Sequence, residues 1–384
     1  MINKWLKSAS FYWHGINDWK TDRKIVVIES DDWGSVRMPN KKTYEKLCAD
    51  GYKLWLAPFE KFDTIASDKD FDKLFTLLTS FKDSNGRHPV FTANTITGNP
   101  DFLKIKKENF YEYYFESFKE TIENYGRSCI ETWFEGINTG VFYPQFHGRE
   151  HVNVFTWMDK LRDKKSDEFK VIDYRMAGVP HKNDIKIGNY HQVALNVDTK
   201  KNKVRNFVEQ SLKDGIDIFL NTFNYTPITF IAPAYTWDRS IEKILKKNSV
   251  SAFQGGRYQR VPCSRKQVKH FTSEKKNGIT YLVRNAFFEP STTLRYENRN
   301  AFVDDLKNKT ELAFKFKKPL IISSHRINYV GTIFEKNRDV NLDLLRRYLK
   351  WLLIKFPEVE FLTTVELLNH INNENSYTPI KLGL

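Results

Sequence analysis

The sequence predicts an α/β fold, closed as a barrel around parallel strands. Three observations point there. Short, mostly apolar runs recur along the chain, as buried parallel strands require. Segments with helical spacing separate them, and a strand–helix–strand succession builds a parallel sheet. The apolar runs end in unusual polar residues, and barrel active sites are built at the C-terminal ends of strands.

Taken in order, Lys24-Ile25-Val26-Val27-Ile28 predicts a strand that runs into Glu29-Ser30-Asp31-Asp32. Thr43 to Leu47 predicts a helix ahead of Gly51. Pro89 to Thr92 predicts a strand entering Ala93-Asn94-Thr95. Glu108 to Tyr125 has helical spacing and stops at Gly126. Val141 to Phe146 predicts a strand that delivers His147, and His151 to Leu161 a helix. From Lys170 to Asn224 no pattern dominates, which suggests an insertion. Thr229 to Ile231 predicts a strand before Ala232-Pro233, followed by a helix from Asp238 to Leu245. Pro319 to Ile322 predicts a strand that ends in Ser323-Ser324-His325. Leu342 to Phe356 predicts a helix and Val359 to Leu362 a strand. With no repeat or linker, residues 1–384 read as one domain with its core over about 24–370.

Composition narrows the function classes. With 40% hydrophobic and 15% aromatic residues over 384 positions, the chain can bury a large core and is not disordered. The net charge of +14 suggests an anionic partner. The basic residues are spread out, with the densest runs at Lys200–Arg205 and Lys315–Lys318. No nucleic-acid-binding motif accompanies them, so nucleic acid is not expected. Cys48, Cys129 and Cys263 are isolated, which argues against a disulfide framework or a thiolate metal site and suits a reducing cytoplasm. Met1 to Lys24 lacks the apolar stretch of a signal peptide, and no run approaches the ~18 apolar residues of a membrane span. The oligomeric state is left open.

Two constellations carry chemistry. Asp31-Asp32 follow a strand directly, and two adjacent carboxylates need a cation or a shared proton. Neighbours on an extended chain point in different directions, so one can bind a metal while the other faces a water. Alone, the pair reads better as an acidic turn. His147 and His151 are four residues apart, and a helix or a strand-to-helix corner brings both rings to one face. Two His and one Asp leave open positions for water and substrate.

In this order and setting, the residues resemble the motifs of the NodB-homology polysaccharide deacetylases, carbohydrate esterase family 4. Asp31-Asp32 before Gly34 resembles the first motif and His147-x-x-x-His151 the second. Ile231-Ala232-Pro233-Ala234-Tyr235-Thr236-Trp237-Asp238 resembles the third, and Ser323-Ser324-His325 the last. The resemblance implies a distorted (β/α) barrel with fewer than eight strands. It implies a hydrolase that removes N- or O-linked acetyl groups from a sugar or polysaccharide intermediate. Asp31 would be the general base and His325 the general acid. Asp32, His147 and His151 would hold one divalent metal ion, with zinc favoured over cobalt, manganese, nickel or iron. The backbone N–H near Ala234 or Tyr235 would help form an oxyanion hole.

Two departures mark a divergent branch. The family carries an arginine just before the third-motif proline, bonded to the base, and here Ile231 and Ala232 stand there. Arg149 or Arg326 is the candidate replacement. Trp33 separates Asp32 from Gly34. Trp33, Tyr235 and Trp237 could stack on a sugar ring. Arg284 to Pro290 suits a barrel rim or a packed loop equally, and His181, His191 and His270 read as structural or surface residues. Three rival functions remain: a non-catalytic glycan-binding or assembly protein with a degenerate site, a glycoside hydrolase using Asp31 and Glu289, and a basic nucleic-acid binder.

Overall fold

The computed structural model describes residues 15–128, 130–182 and 193–373. Among them are the strands β1 (Lys24–Trp33), β2 (Phe91–Thr95), β3 (Gly98–Pro100), β4 (Phe115–Ser117), β5 (Phe142–Phe146), β6 (Thr229–Ile231) and β7 (Ala252–Gly255). The remainder are β8 (Tyr258–Arg260), β9 (Gln267–Lys269), β10 (Lys275–Lys276), β11 (Ile279–Val283), β12 (Ala286–Phe287), β13 (Leu320–His325) and β14 (Val359–Phe361). Ten of these form one sheet in the order β10-β11-β7-β6-β5-β2-β1-β13-β12, with β14 also on β1. Every pair in it is parallel except β10 with β11. The fold is therefore mixed α/β around a large parallel sheet, as the apolar runs predict.

β1 is the hub. It pairs with β13 from Val26↔Leu320 to Asp31↔His325, and with β2 from Ile28↔Phe91. Between Ser30↔Ala93 and Trp33↔Thr95 the register slips by one residue, which is a β-bulge at Asp31-Asp32. Asp32 takes φ 72° there, a left-handed conformation that is unfavourable for a side chain with a Cβ. Gly34 follows at φ 81°, where a Cβ would lie 2.4 Å from the Ile96 carbonyl oxygen, so only glycine fits.

Amphipathic helices cover the sheet. In Asp68–Thr79, Ser67 and Asp70 form a capping box, and Phe71, Leu74, Phe75 and Leu78 recur at helical spacing on the buried face. They meet Trp33, Phe91, Trp133 and Phe142 in the main core, which also takes Leu342, Leu345, Leu349 and Leu352 of Glu335–Lys355.

One segment has two partners. Val283 of β11 pairs with Gly255 of β7, and the Arg284 N–H donates to the Gly255 carbonyl at 2.9 Å. The Asn285 N–H then donates to Ile321 at 3.0 Å, and β12 pairs with β13. Residues 279–287 thus run from one end of the strand order to the other.

Three expectations shift. Glu108–Tyr125 is helical only from Phe118, because Ser117 and Glu120 build a capping box at that point. The aromatics before it, Phe110, Tyr113 and Tyr114, pack on the cluster around Trp157 instead. The helix expected from His151 begins at Val154, where Asn153 caps it. The region without a pattern contains the long helix Asn202–Phe223, while His191 lies outside the described residues, as does Cys129. No described helix is long and apolar enough to cross a membrane.

Candidate active site

The C-terminal ends of β1, β5 and β13 bring the motif residues together. His147 follows β5 directly and His151 lies on the turn before the next helix, so the pair sits at a strand-to-helix corner. Their Nε2 atoms lie 3.4 Å and 3.3 Å from Asp32 Oδ1. One ligand atom from each of the three residues falls within 4.8 Å of the others. His147 Nδ1 hydrogen-bonds the Ile231 carbonyl at 2.8 Å, which puts the proton on that nitrogen and turns the Nε2 lone pair to the site. Burial, with His147 and Arg37 nearby, pushes His151 down to about 4, so it is neutral at physiological pH. Its Nδ1 is buried without a partner among the described residues. A carboxylate oxygen facing two imidazole lone pairs is a donor set for a divalent cation, and these residues fit one.

Asp31 has a different environment. Arg284 donates Nη1–H to Oδ2 and Nη2–H to Oδ1, both at 2.6 Å, and Asn94 donates to Oδ1 at 2.8 Å. Burial would raise its pKa, but the Arg284 guanidinium outweighs burial and, with His325 and His147, lowers it to about 2. The same guanidinium donates Nε–H to Glu29 at 2.6 Å and Nη1–H to Ser323 at 3.1 Å. Glu29 is fully buried, and it also accepts from Thr364 at 2.8 Å. Burial outweighs these contacts and raises its pKa.

His325 Nε2 lies 3.7 Å from Asp31 Oδ2, while Nδ1 meets Glu289 at 2.6 Å. Asn328 holds the other Glu289 oxygen at 2.9 Å. Burial opposes the charge on His325, but Glu289, then Asp31 and Asp32, keep its proton well above the usual histidine range.

Several expected roles are corrected. Neither Arg149 nor Arg326 replaces the missing arginine. Arg149 is tied to Glu150 and Asp214, and Arg326 grips both oxygens of Asp63 at 3.0 Å and 2.9 Å. Arg284 stands on Asp31 instead, delivered from just beyond the end of β11. Trp33 is 1% exposed and packs on Phe71, Trp133 and Phe142, so it is core. Trp237 is 2% exposed, bonds Glu242 at 3.2 Å and stacks on His270 and Tyr281, so it cannot meet a sugar either. His270 is accordingly structural. The Tyr235 N–H donates to Ala232 at 2.9 Å and is not free for an oxyanion. Ala234 at φ 51° is solvent-exposed, and Tyr235 reaches the site through its hydroxyl, 3.4 Å from Arg284 Nη1.

Glu29, Arg37, Asn94 and Ser323 were not anticipated as site residues. A polar strand end in Glu29 and the polar run from Arg284 were visible, but β7 and β11 were not, and without β11 Arg284 cannot be placed.

The sequence model of glycosyl hydrolase family 57 matches residues 56–382. The chain belongs to that family. It is therefore a member of a carbohydrate-active enzyme family, and a different one from that which its motifs resemble. The match begins downstream of Asp31 and Asp32. Similar solved structures come from both groups. A branching enzyme of the family-57 type from Pyrococcus horikoshii is 13% identical, with 93% of this chain and 71% of that one covered and a TM-score of 0.46. A protein described as a polysaccharide deacetylase from Pseudomonas aeruginosa PAO1 is 9% identical, with 93% and 94% covered and a TM-score of 0.44. The Puue allantoinase is 9% identical, with 94% of both chains covered and a TM-score of 0.46. Likenesses this distant decide neither activity nor substrate. No curated protein matches the chain.

Proposed function

We propose that this member of glycosyl hydrolase family 57 is a metal-dependent hydrolase that removes acetyl groups, N- or O-linked, from a sugar. The observation that carries the reading is the division of the mouth: a two-histidine, one-aspartate donor set beside an ionised Asp31 and a proton-holding His325. A divalent cation, zinc by preference for this donor set, supplies Lewis-acid polarisation of the acyl carbonyl and acidifies a water. Asp31, fixed by Arg284 and Asn94, orients that water and takes its proton. Its low pKa makes it a weak base, but one that is ionised at every working pH. His325, oriented by Glu289, gives a proton to the departing amine or alkoxide. Of the two backbone groups of the third motif, the Tyr235 N–H is bonded to Ala232, so the oxyanion role falls in this reading to the Ala234 N–H.

The family name favours glycosidic chemistry, and one observation weighs against it. A glycosidase needs a carboxylic acid that stays protonated beside an ionised partner. Here Asp31 and Asp32 are both held well below the usual carboxylate range, and Glu289 faces a protonated His325. Glu29 and Asp63, which burial raises, are 0% exposed and bonded to Arg284 and Arg326, so neither offers a proton to a sugar. The ground for a degenerate site also weakens, since Arg284 fills the arginine's place. We further read the two partners of residues 279–287 as closing β1, β2, β5, β6, β7, β11–β12 and β13 into a distorted barrel within one domain. The deciding experiment is acetate release from acetylated sugars with zinc, cobalt or manganese, run beside a reducing-sugar assay. Metal-dependent acetate without reducing sugar is expected. Reducing sugar from a glycan, insensitive to chelator, would replace this reading with the glycosidic one.

A further inference from the structure

Four arginines lie in or beside the mouth, and three are fully engaged. Arg284 bonds Glu29, Asp31 and Ser323, Arg326 bonds Asp63 and the Ser35 carbonyl, and Arg149 bonds Glu150 and Asp214. Arg37 differs. Its side chain is only 11% exposed and its charged neighbours are Asp32, Asp63 and Glu60, yet its one hydrogen bond among the described residues is a long 3.4 Å contact from Nη2 to Asp32 Oδ2. Nε lies 3.5 Å from Asp63 Oδ2 without a hydrogen bond, and it is buried and unpartnered. Asp63 already has both oxygens on Arg326. A guanidinium carries five donors, and a buried one left unmade, as at Nε, is costly. Such a group calls for a partner that binds there.

Its surroundings say which. The Arg37 guanidinium lies over the Phe59 ring at 5.4 Å, and Phe59 stands edge-on to the His325 ring at 5.7 Å. Arg37 and Phe59 therefore link Asp32 to His325 through consecutive contacts. A planar cation stacked on an aromatic is pre-organised for a forked bond to an oxyanion. We propose that Arg37 and Phe59 form a subsite for an anionic oxygen group, a carboxylate or a phosphate, carried by the sugar substrate. This subsite rests on the reading of the mouth as a sugar-deacylating site, and it names that substrate as an acidic sugar.

The test is calorimetric binding of glucuronate, glucose 6-phosphate and glucose to the zinc-loaded protein, with acetate release recorded separately. The wild type is expected to favour at least one anionic sugar over glucose by about ten- to a hundredfold. Which of the two it favours separates carboxylate from phosphate. Arg37→Met, or Arg37→Gln if the first does not fold, should erase the preference when reloaded with zinc to the wild-type content. A wild type without preference overturns the subsite. So does a variant that keeps the preference, because the anion then sits on the metal. Acetate release without anion preference sinks the subsite alone. Anion preference without acetate release from any substrate sinks the deacylating reaction and leaves Arg37 as an anion site.

Discussion

The two halves of the mouth are finished to different degrees. On one side Asp31, Glu29 and Ser323 share Arg284 through bonds of 2.6 Å to 3.1 Å, and Glu289 closes on His325 at 2.6 Å. On the other, Asp32 stands 3.3 Å to 3.4 Å from three neighbours, and a histidine nitrogen beside it has no partner. The first side is complete with protein groups alone. Among the described residues, the second gives the Asp32 carboxylate a single long hydrogen bond, from Arg37, and leaves both histidine Nε2 atoms facing it without one. A protein that saturates one cluster of buried polar groups and leaves the adjacent one slack has built the second for something that binds.

That contrast can be broken most forcefully at the slack side. His147→Ala should lose the metal and lower kcat/KM by about a thousandfold or more, because the Lewis acid goes with it. Elemental analysis beside acetate release reads both. Metal retained in both His147→Ala and His151→Ala would remove the slack side's meaning.

On the finished side, Asp31→Asn should keep the metal and lose about a hundred- to ten-thousandfold in rate, the span expected for a general base. Arg284→Met should act on stability as well. It leaves two buried carboxylates without their cation, at about 3–5 kcal/mol in denaturant unfolding. If Asp31→Asn loses metal instead, the two halves are one ligand set.

The His325–Glu289 pair sharpens the comparison through pH. The raised pKa means that the proton is present below it and is lost as pH rises through it. Activity should therefore hold into alkaline pH and then fall. Glu289→Gln should move that alkaline limb toward lower pH, with about a tenfold loss of rate. A kcat/KM profile with an unmoved limb would separate Glu289 from the acid. The smallest effect is expected at Trp237. Trp237→Phe keeps the aromatic packing, so KM for any acetylated sugar should stay within about twofold of wild type, given that the ring lies in the core.

What the sequence revealed and what it hid divide along sequence distance. Asp31-Asp32, His147 with His151, and His325 each sit directly after an apolar run, so a local pattern suffices to place them at strand ends. Trp33 and Trp237 lie beside motifs and look exposed to the substrate, but a bulge and a tight turn point them inward, and no local pattern encodes that. Arg284 was hidden because β7 and β11 are only four and five residues long and carry Gln254, Gly255, Thr280 and Tyr281 among their apolar positions. The exchange of partner within residues 279–287 is a property of the assembled sheet. The capping boxes at Ser117 and Ser67 were legible in principle, and the first of them would have corrected the helix expected from Glu108.

The bond between Arg284 and Asp31 joins residues 253 positions apart. Translation proceeds from the N-terminus, so Glu29 and Asp31 of β1 emerge long before the cation that balances them. Any nascent chain shorter than that span holds Glu29 and Asp31 with no Arg284 to meet. Two such acids cannot enter an apolar interior as anions, so β1 must either stay wet or carry extra protons until the later strands arrive. The hub of the sheet is thus a strand whose own burial is licensed from three-quarters of the way along the message. A chain stopped before residue 284 has every proposed metal ligand and no means of ionising its base in the dry.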